Sequence, residues 1–329
     1  MKRLRLFRQR ISALASFALL LAGLRTHAQQ SAPLTQLAFH PYVANPAFAG
    51  INKQLELTAH ARVQWLGISG SPLIQYLSAH TPLAFGKAGT GLLVHHSLTG
   101  AFRLTSASFS YAHQLRLGAS LFAAGLAAGL TQASLQGQNL RAPQGNYSAG
   151  IDHQDPILPV NVVGGTAFDL TAGLSWVHPR MRAGLSATNL LQAPLKLQAE
   201  QVAQYRPLVQ YVAFLDVNVR LSNSLAMEPF VVARMSASKP QFEGGLTFKH
   251  RNLLWAGIGM RGFNEFTADA VMAWIGLQTT PRLRVGYSYD YTMTALREVS
   301  QGTHEVLVSY SLSLLRAATK GKTIYNTRF

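Results

Sequence analysis

Glu56, His60 and Arg62 stand at even positions of one alternating stretch, so an extended chain puts all three side chains on a single face. Arg284 and Asp290 do the same in a second stretch near the other end of the chain. A histidine beside a carboxylate could serve a serine hydrolase as the base that activates the hydroxyl. No serine motif or paired-carboxylate spacing accompanies these residues, and the absence of cysteine excludes thiol catalysis and thiolate metal sites. Asp152-His153-Gln154-Asp155 brings together the ligand types a divalent cation takes, yet one short acidic run in a polar segment reads equally well as a loop. The sequence therefore predicts no catalytic residue, no metal and no cofactor. A barrel must have a polar interior, and Glu56, His60, Arg62, Arg284 and Asp290 read most simply as its hydrogen-bonded lumen lining.

The elements that would carry them are strands. In Pro281 to Leu314, Leu283, Val285, Tyr287, Tyr289 and Tyr291 alternate with Arg284, Gly286, Ser288 and Asp290. After a polar loop, Val306, Val308, Tyr310, Leu312 and Leu314 alternate with Glu305, Ser309, Ser311 and Ser313, with Leu307 as the apolar exception. Near the start, Leu55, Leu57, Ala59, Ala61, Val63 and Trp65 oppose Glu56, Thr58, His60, Arg62 and Gln64. Such alternation fits a soluble sandwich as well as a lipid-facing wall, and composition separates them. Charged residues are only 13% of the chain and hydrophobic ones 48%, without an apolar run long enough for a spanning helix. The first 28 residues, with basic MKRLRLFRQR, an apolar run from Ile11 to Leu24 and Thr26-His27-Ala28, form the pattern of a cleaved export signal. The export segment holds six of the 29 basic residues and none of the 13 acids, leaving +10 on the rest.

These features predict an all-β protein, a transmembrane antiparallel β-barrel of about 14 strands (12–16) with both termini periplasmic, in the outer membrane of a Gram-negative bacterium. Residues 29–52 form a periplasmic or lumenal lead-in, 53–315 the barrel and 316–329 a basic periplasmic tail. Odd-numbered connections are mostly long and even-numbered ones short, which a barrel needs and a sandwich does not. Basic residues gather at the short turns and after the last strand, with Arg180, Arg251, Arg282, Lys320, Lys322 and Arg328 forming a periplasmic rim. Such a rim meets anionic head groups or an acidic periplasmic partner. Nucleic acid is not expected, because no aromatic and basic groove accompanies the charge.

Several stretches resemble the PorP/SprF family of type IX secretion outer-membrane proteins. Asn45-Pro46-Ala47-Phe48-Ala49-Gly50 is similar to that family's NPAYAG signature, and Gln64-Trp65-Leu66-Gly67-Ile68-Ser69-Gly70-Ser71-Pro72 with Gln75, Ser78, His80 and Pro82 to its second motif. Arg284 to Tyr291 and Gly302-Thr303-His304-Glu305 also resemble it, with Thr303 for the usual serine. The resemblance implies a non-enzymatic barrel that anchors or assists a secreted adhesin-like surface protein with a type IX sorting domain. Alternatively, it links other secretion components or a peptidoglycan-binding periplasmic lipoprotein to the outer-membrane lipid. Trp65, Gly67, Gly70, Pro72, His80, Asn45, Pro46 and Gly50 are the candidate partner-binding residues. The competing expectation is a diffusion porin or small-solute transporter, for which the polar lumen faces would be the evidence.

Overall fold

The computed structural model describes residues 33–83, 87–148, 150–197, 204–236, 239–251, 253–262 and 268–313. The export segment and the tail, with Lys320, Lys322 and Arg328, lie outside the described residues.

Fourteen strands form the wall: β1 (Leu55–Val63), β2 (Leu73–Pro82), β3 (Ala88–Thr99), β4 (Phe102–Leu117), β5 (Ser120–Gln136), β6 (Val162–His178), β7 (Met181–Thr188), β8 (Gln210–Val217), β9 (Leu225–Ser236), β10 (Lys239–His250), β11 (Leu254–Arg261), β12 (Ala270–Gln278), β13 (Leu283–Thr292) and β14 (Thr303–Leu312). Each pairs antiparallel with its neighbours in sequence, and β14 returns to β1 in the register Leu55↔Leu312 to Val63↔His304. The sheet has no free side along this seam, which is how a β-structure satisfies its backbone in hydrocarbon. Lipid-facing positions are those of the expected alternation. Leu57, Tyr287, Tyr291, Val306, Val308 and Tyr310 are exposed, while Glu56, His60, Arg62, Asp290 and Glu305 are buried inside.

One end of the barrel carries tight turns and the other most of the long connections. Among the odd-numbered connections, expected to be mostly long, β3 and β4 join through Gly100 and Ala101 alone. The strands reach further than hydropathy suggested. Outward positions of β4 from Leu117 to Ala107 are apolar or aromatic except His113 and then turn polar at Thr105 and Arg103, while the ladder to β5 continues to Phe102↔Leu135. Beyond the lipid a strand keeps its backbone pairing without needing an apolar face. β5 and β6 have 17 residues each, against 8 for β7 and 8 for β8. At about 3.3 Å per residue this is a wall of roughly 55 Å beside one of roughly 26 Å. A two-stranded ribbon, Leu195–Lys196 with Gln204–Tyr205, sits inside the taller wall, its Leu195 packed with Ala133 and Leu197. β1 stops at Val63, short of the expected Trp65, which takes a left-handed φ of 55° as Leu66 N–H turns to the Gly302 carbonyl.

The lumen is filled. Leu34 to Asn52 coil through it in three short 3₁₀ turns, Leu37–Phe39, Pro41–Val43 and Pro46–Phe48. Around this plug the wall turns apolar side chains inward, with Phe214, Phe230, Val232, Trp255, Met272 and Trp274 packed against Leu37, Tyr42 and Phe48. An entirely polar lumen was expected, and the difference has a plain cause: a wall strand packed on a plug is dry on both faces.

Candidate functional site

Each turn of the plug is fixed by its own sequence before it meets the wall. Asn45 caps the third turn, its Oδ1 accepting from Ala47 N–H at 2.9 Å with Pro46 at the first position. The Asn45 amide then donates to the carbonyls of Leu174 on β6 (3.0 Å) and Leu185 on β7 (3.1 Å). Ser175 Oγ donates to the Ala47 carbonyl at 3.1 Å, and Gln114 Nε2 to that of Ala49 at 3.0 Å. Tyr42 is hydrogen-bonded to Ser110 at 2.7 Å and His40 to Ser78 at 2.8 Å. The wall leaves room for this contact by presenting glycine: a Cβ on Gly125 would overlap the Ala47 backbone, and one on Gly173 the Asn45 side chain. Gly89, Gly91, Gly184 and Gly286 are approached as closely by Ala49, Tyr42, Phe48 and Gln36.

This placement puts four of the residues expected at a partner surface inside the barrel. Asn45, Pro46 and His80 are buried, and Gly50, at φ 67°, is packed on Thr81 and Pro82. His80 accepts from Gly50 N–H at 3.3 Å through Nδ1 and meets Glu56 at 3.2 Å through Nε2. The signature threads between plug and wall, so its residues pack on the protein's own strands. Trp65, Gly67, Gly70 and Pro72 stay at the surface of the long-connection end. There Gln301 N–H bonds to the Leu66 carbonyl (2.7 Å) and Gly100 N–H to that of Gly70 (2.9 Å), lacing the first connection to the last and the third.

The first plug residues are held by charge. Glu305, 1% exposed, accepts Thr35 N–H at 3.0 Å, Gln36 N–H at 2.7 Å, His60 Nε2 at 2.8 Å and Arg62 Nη1 at 2.9 Å. Arg62 also donates to Asp290 at 2.8 Å, and Arg261 to the same oxygen at 2.7 Å. Arg261 continues to Glu243, which pairs with Arg234. The Thr35 hydroxyl lies at the centre, donating to Asp290 at 2.7 Å and receiving Arg261 at 2.8 Å and Arg62 at 3.2 Å. Arg234, Glu243 and Arg261 were not singled out from sequence, although each stands at the lumen position of its strand, where a charge implies a partner.

A second tier lies nearer the tight turns. Arg284 meets Glu56 at 3.5 Å, Asn52 donates to Glu56 at 2.9 Å, Arg182 pairs with Asp216, and Lys249 with Glu228 at 2.5 Å. Arg182, Lys249 and Arg284 are basic residues beside short turns that nevertheless point inward to acids. Arg180, Arg251 and Arg282 remain exposed in the turns themselves.

Above the plug, towards the long connections, a cavity of about 190 Å³ remains, bounded by Leu34, Tyr42, Tyr76, His95, Ser106, Asp169 and Tyr205. Tyr76 stacks on His95 with ring centroids 4.5 Å apart. Burial pushes the phenol of Tyr205 upward. In the Asp152–Asp155 run, Asp152 and Asp155 each accept one loop N–H, from Gln154 and Ile157, and His153 bonds to Tyr147 and Pro159.

A model of the PorP/SprF family, type IX secretion system membrane proteins, matches residues 26–310. The chain belongs to this family. It is an outer-membrane component of type IX secretion. No curated protein matches the chain. Among solved structures, the CymD monoaromatic hydrocarbon channel is similar at a TM-score of 0.50 and 12% identity, covering 88% of this chain and 95% of that one. The Ralstonia pickettii toluene transporter TbuX has a TM-score of 0.47 and 11% identity, with 82% and 92% covered. At such identities CymD shares a barrel fold with this PorP/SprF chain and nothing finer.

Proposed function

We propose that this PorP/SprF barrel is a non-enzymatic, closed anchor for an exported surface protein, working through its surfaces and not through its bore. The observation that carries the reading is the pinned plug. Glycine-lined walls, the Asn45 cap and the buried charges around Thr35 all hold Leu34–Asn52 in place. A diffusion porin needs an unobstructed polar lumen, and here aromatic side chains and the plug occupy it. In this reading the long connections face outward and the tight turns the periplasm, where exposed Arg180, Arg251 and Arg282 meet anionic head groups or an acidic partner. Purified barrel in planar bilayers tests the bore, and a strain lacking the gene tests the anchor. The expected results are no steady conductance and loss of one exported protein from the cell surface. Large ohmic channels with unchanged surface display would overturn the reading in favour of a porin.

A further inference from the structure

β6 stands taller than its neighbour. β7 pairs with it only from Ala172↔Ala187 to His178↔Met181, whereas β5 pairs along its whole length from Gln136↔Val162. The direction of the backbone groups follows from two bonds. Gly137 N–H reaches the Asn161 carbonyl, so odd residues at this end face β5; Leu190 N–H reaches the Leu170 carbonyl, so even residues face the open side. Val162, Gly164, Thr166 and Phe168 therefore aim N–H and C=O over the low wall of β7 and β8. Among the described residues none of these groups has a backbone partner on that side. Along this edge the outward side chains are Phe168, Thr166, Gly164 and Val162, apolar at both ends and polar or absent between. Native proteins seldom leave such an edge uncovered, because it is a template for another strand.

We propose that this edge takes an extended strand of the exported protein, which adds to the sheet beside β6; the proposal rests on the anchor reading above. The occupant follows from the chemistry presented. A row of alternating donors and acceptors is matched by an extended main chain. On the lumen side of the same stretch, Val163 and Ala167 belong to the apolar cluster around Leu195, while the outward side is polar or exposed. The incoming strand therefore carries apolar residues at its inward positions. A second copy of this barrel does not fit, since two copies in one membrane meet through their lipid faces and not over the top of a low wall.

Hydrogen–deuterium exchange on the full chain in lipid nanodiscs tests this, with the purified sorting domain of the exported protein whose surface display is lost in the deletion strain. Alone, the amides of Gly164, Thr166 and Phe168 should exchange freely, and with the domain they should slow by about tenfold or more. Amides already protected in the free barrel would mean that its own chain covers the edge, and would overturn the proposal. Thr166→Pro removes an N–H on the open side and leaves the ladder to β5, whereas Thr166→Val keeps that N–H. The proline variant should weaken binding of the domain about tenfold or more and abolish display, with the valine variant unaffected. If Thr166→Pro fails to give a heat-modifiable barrel, Val162→Pro at the first residue of the strand replaces it. Normal display by an assembled proline variant would overturn the edge proposal while leaving the anchor intact. A deletion strain that displays every exported protein would instead overturn the anchor.

Discussion

Glu305→Gln should release the plug without opening the wall. The Glu305 carboxylate receives two plug amides, at 3.0 and 2.7 Å, together with His60 and Arg62. A carboxamide of the same shape has one oxygen instead of two and turns an NH₂ towards donors. Each hydrogen bond to a charged group contributes about 1.5–3 kcal/mol, and breaking a buried ion pair costs about 3–5 kcal/mol. The β1–β14 ladder runs from Leu55↔Leu312 to Val63↔His304 and does not depend on this side chain. The loss therefore falls on plug docking, where about 3–5 kcal/mol raises the undocked fraction roughly a hundred- to a few-thousand-fold. Two measurements read this: single-channel openings in planar bilayers, and protease cutting within Leu34–Asn52 on barrels that remain heat-modifiable. Openings and cutting indistinguishable from the parent chain would refute the idea that this charge cluster fastens the plug.

Further outcomes follow from other contacts. Gly125→Val should prevent the Ala47 turn from seating and yield barrels whose lead-in is cut by protease, while Ala128→Val, on the lipid face three residues on, should be silent in the same assay. Val285→Arg should cost about 2–4 kcal/mol of barrel stability in urea titrations if it lies at mid-bilayer, whereas Ser106→Arg, in the cavity wall, should cost less than 1 kcal/mol. Ser288→Arg, at 0% exposure, should be as damaging as Val285→Arg, because its side of β13 packs against the plug. A tag inserted after Ser148 should be labelled on intact cells, and labelling only after outer-membrane lysis would reverse the orientation.

The barrel was legible because lipid imposes strict alternation on β1, β13 and β14, which fixed their faces residue by residue. The plug was not. Leu34–Asn52 shows no period, since its turns are held by single contacts such as Asn45 to Leu174 that leave no pattern in hydropathy. β12, Ala-Val-Met-Ala-Trp-Ile-Gly-Leu-Gln, gave an unused clue: apolar residues at both parities mean two dry faces. Gly125, Gly173 and Gly286, all on the lumen parity of their strands, gave another. Position near a turn does not decide where a charge points: Arg182 and Lys249 reach inward to Asp216 and Glu228, as Arg284, expected in the lumen from its parity, does to Glu56.

Arg62 and Glu305 are direct partners across the seam where the two ends of the wall meet. A slip of one residue at closure would turn every side chain of β14 to its opposite face, placing Glu305 in hydrocarbon and facing Val306 towards the plug amides. The seam thus carries its own proofreading: only the correct closure gives Glu305 its four donors, and a misregistered one buries a bare carboxylate in lipid. Two of those donors belong to Thr35 and Gln36, so the docked lead-in completes the set of partners that only the correct register offers Glu305.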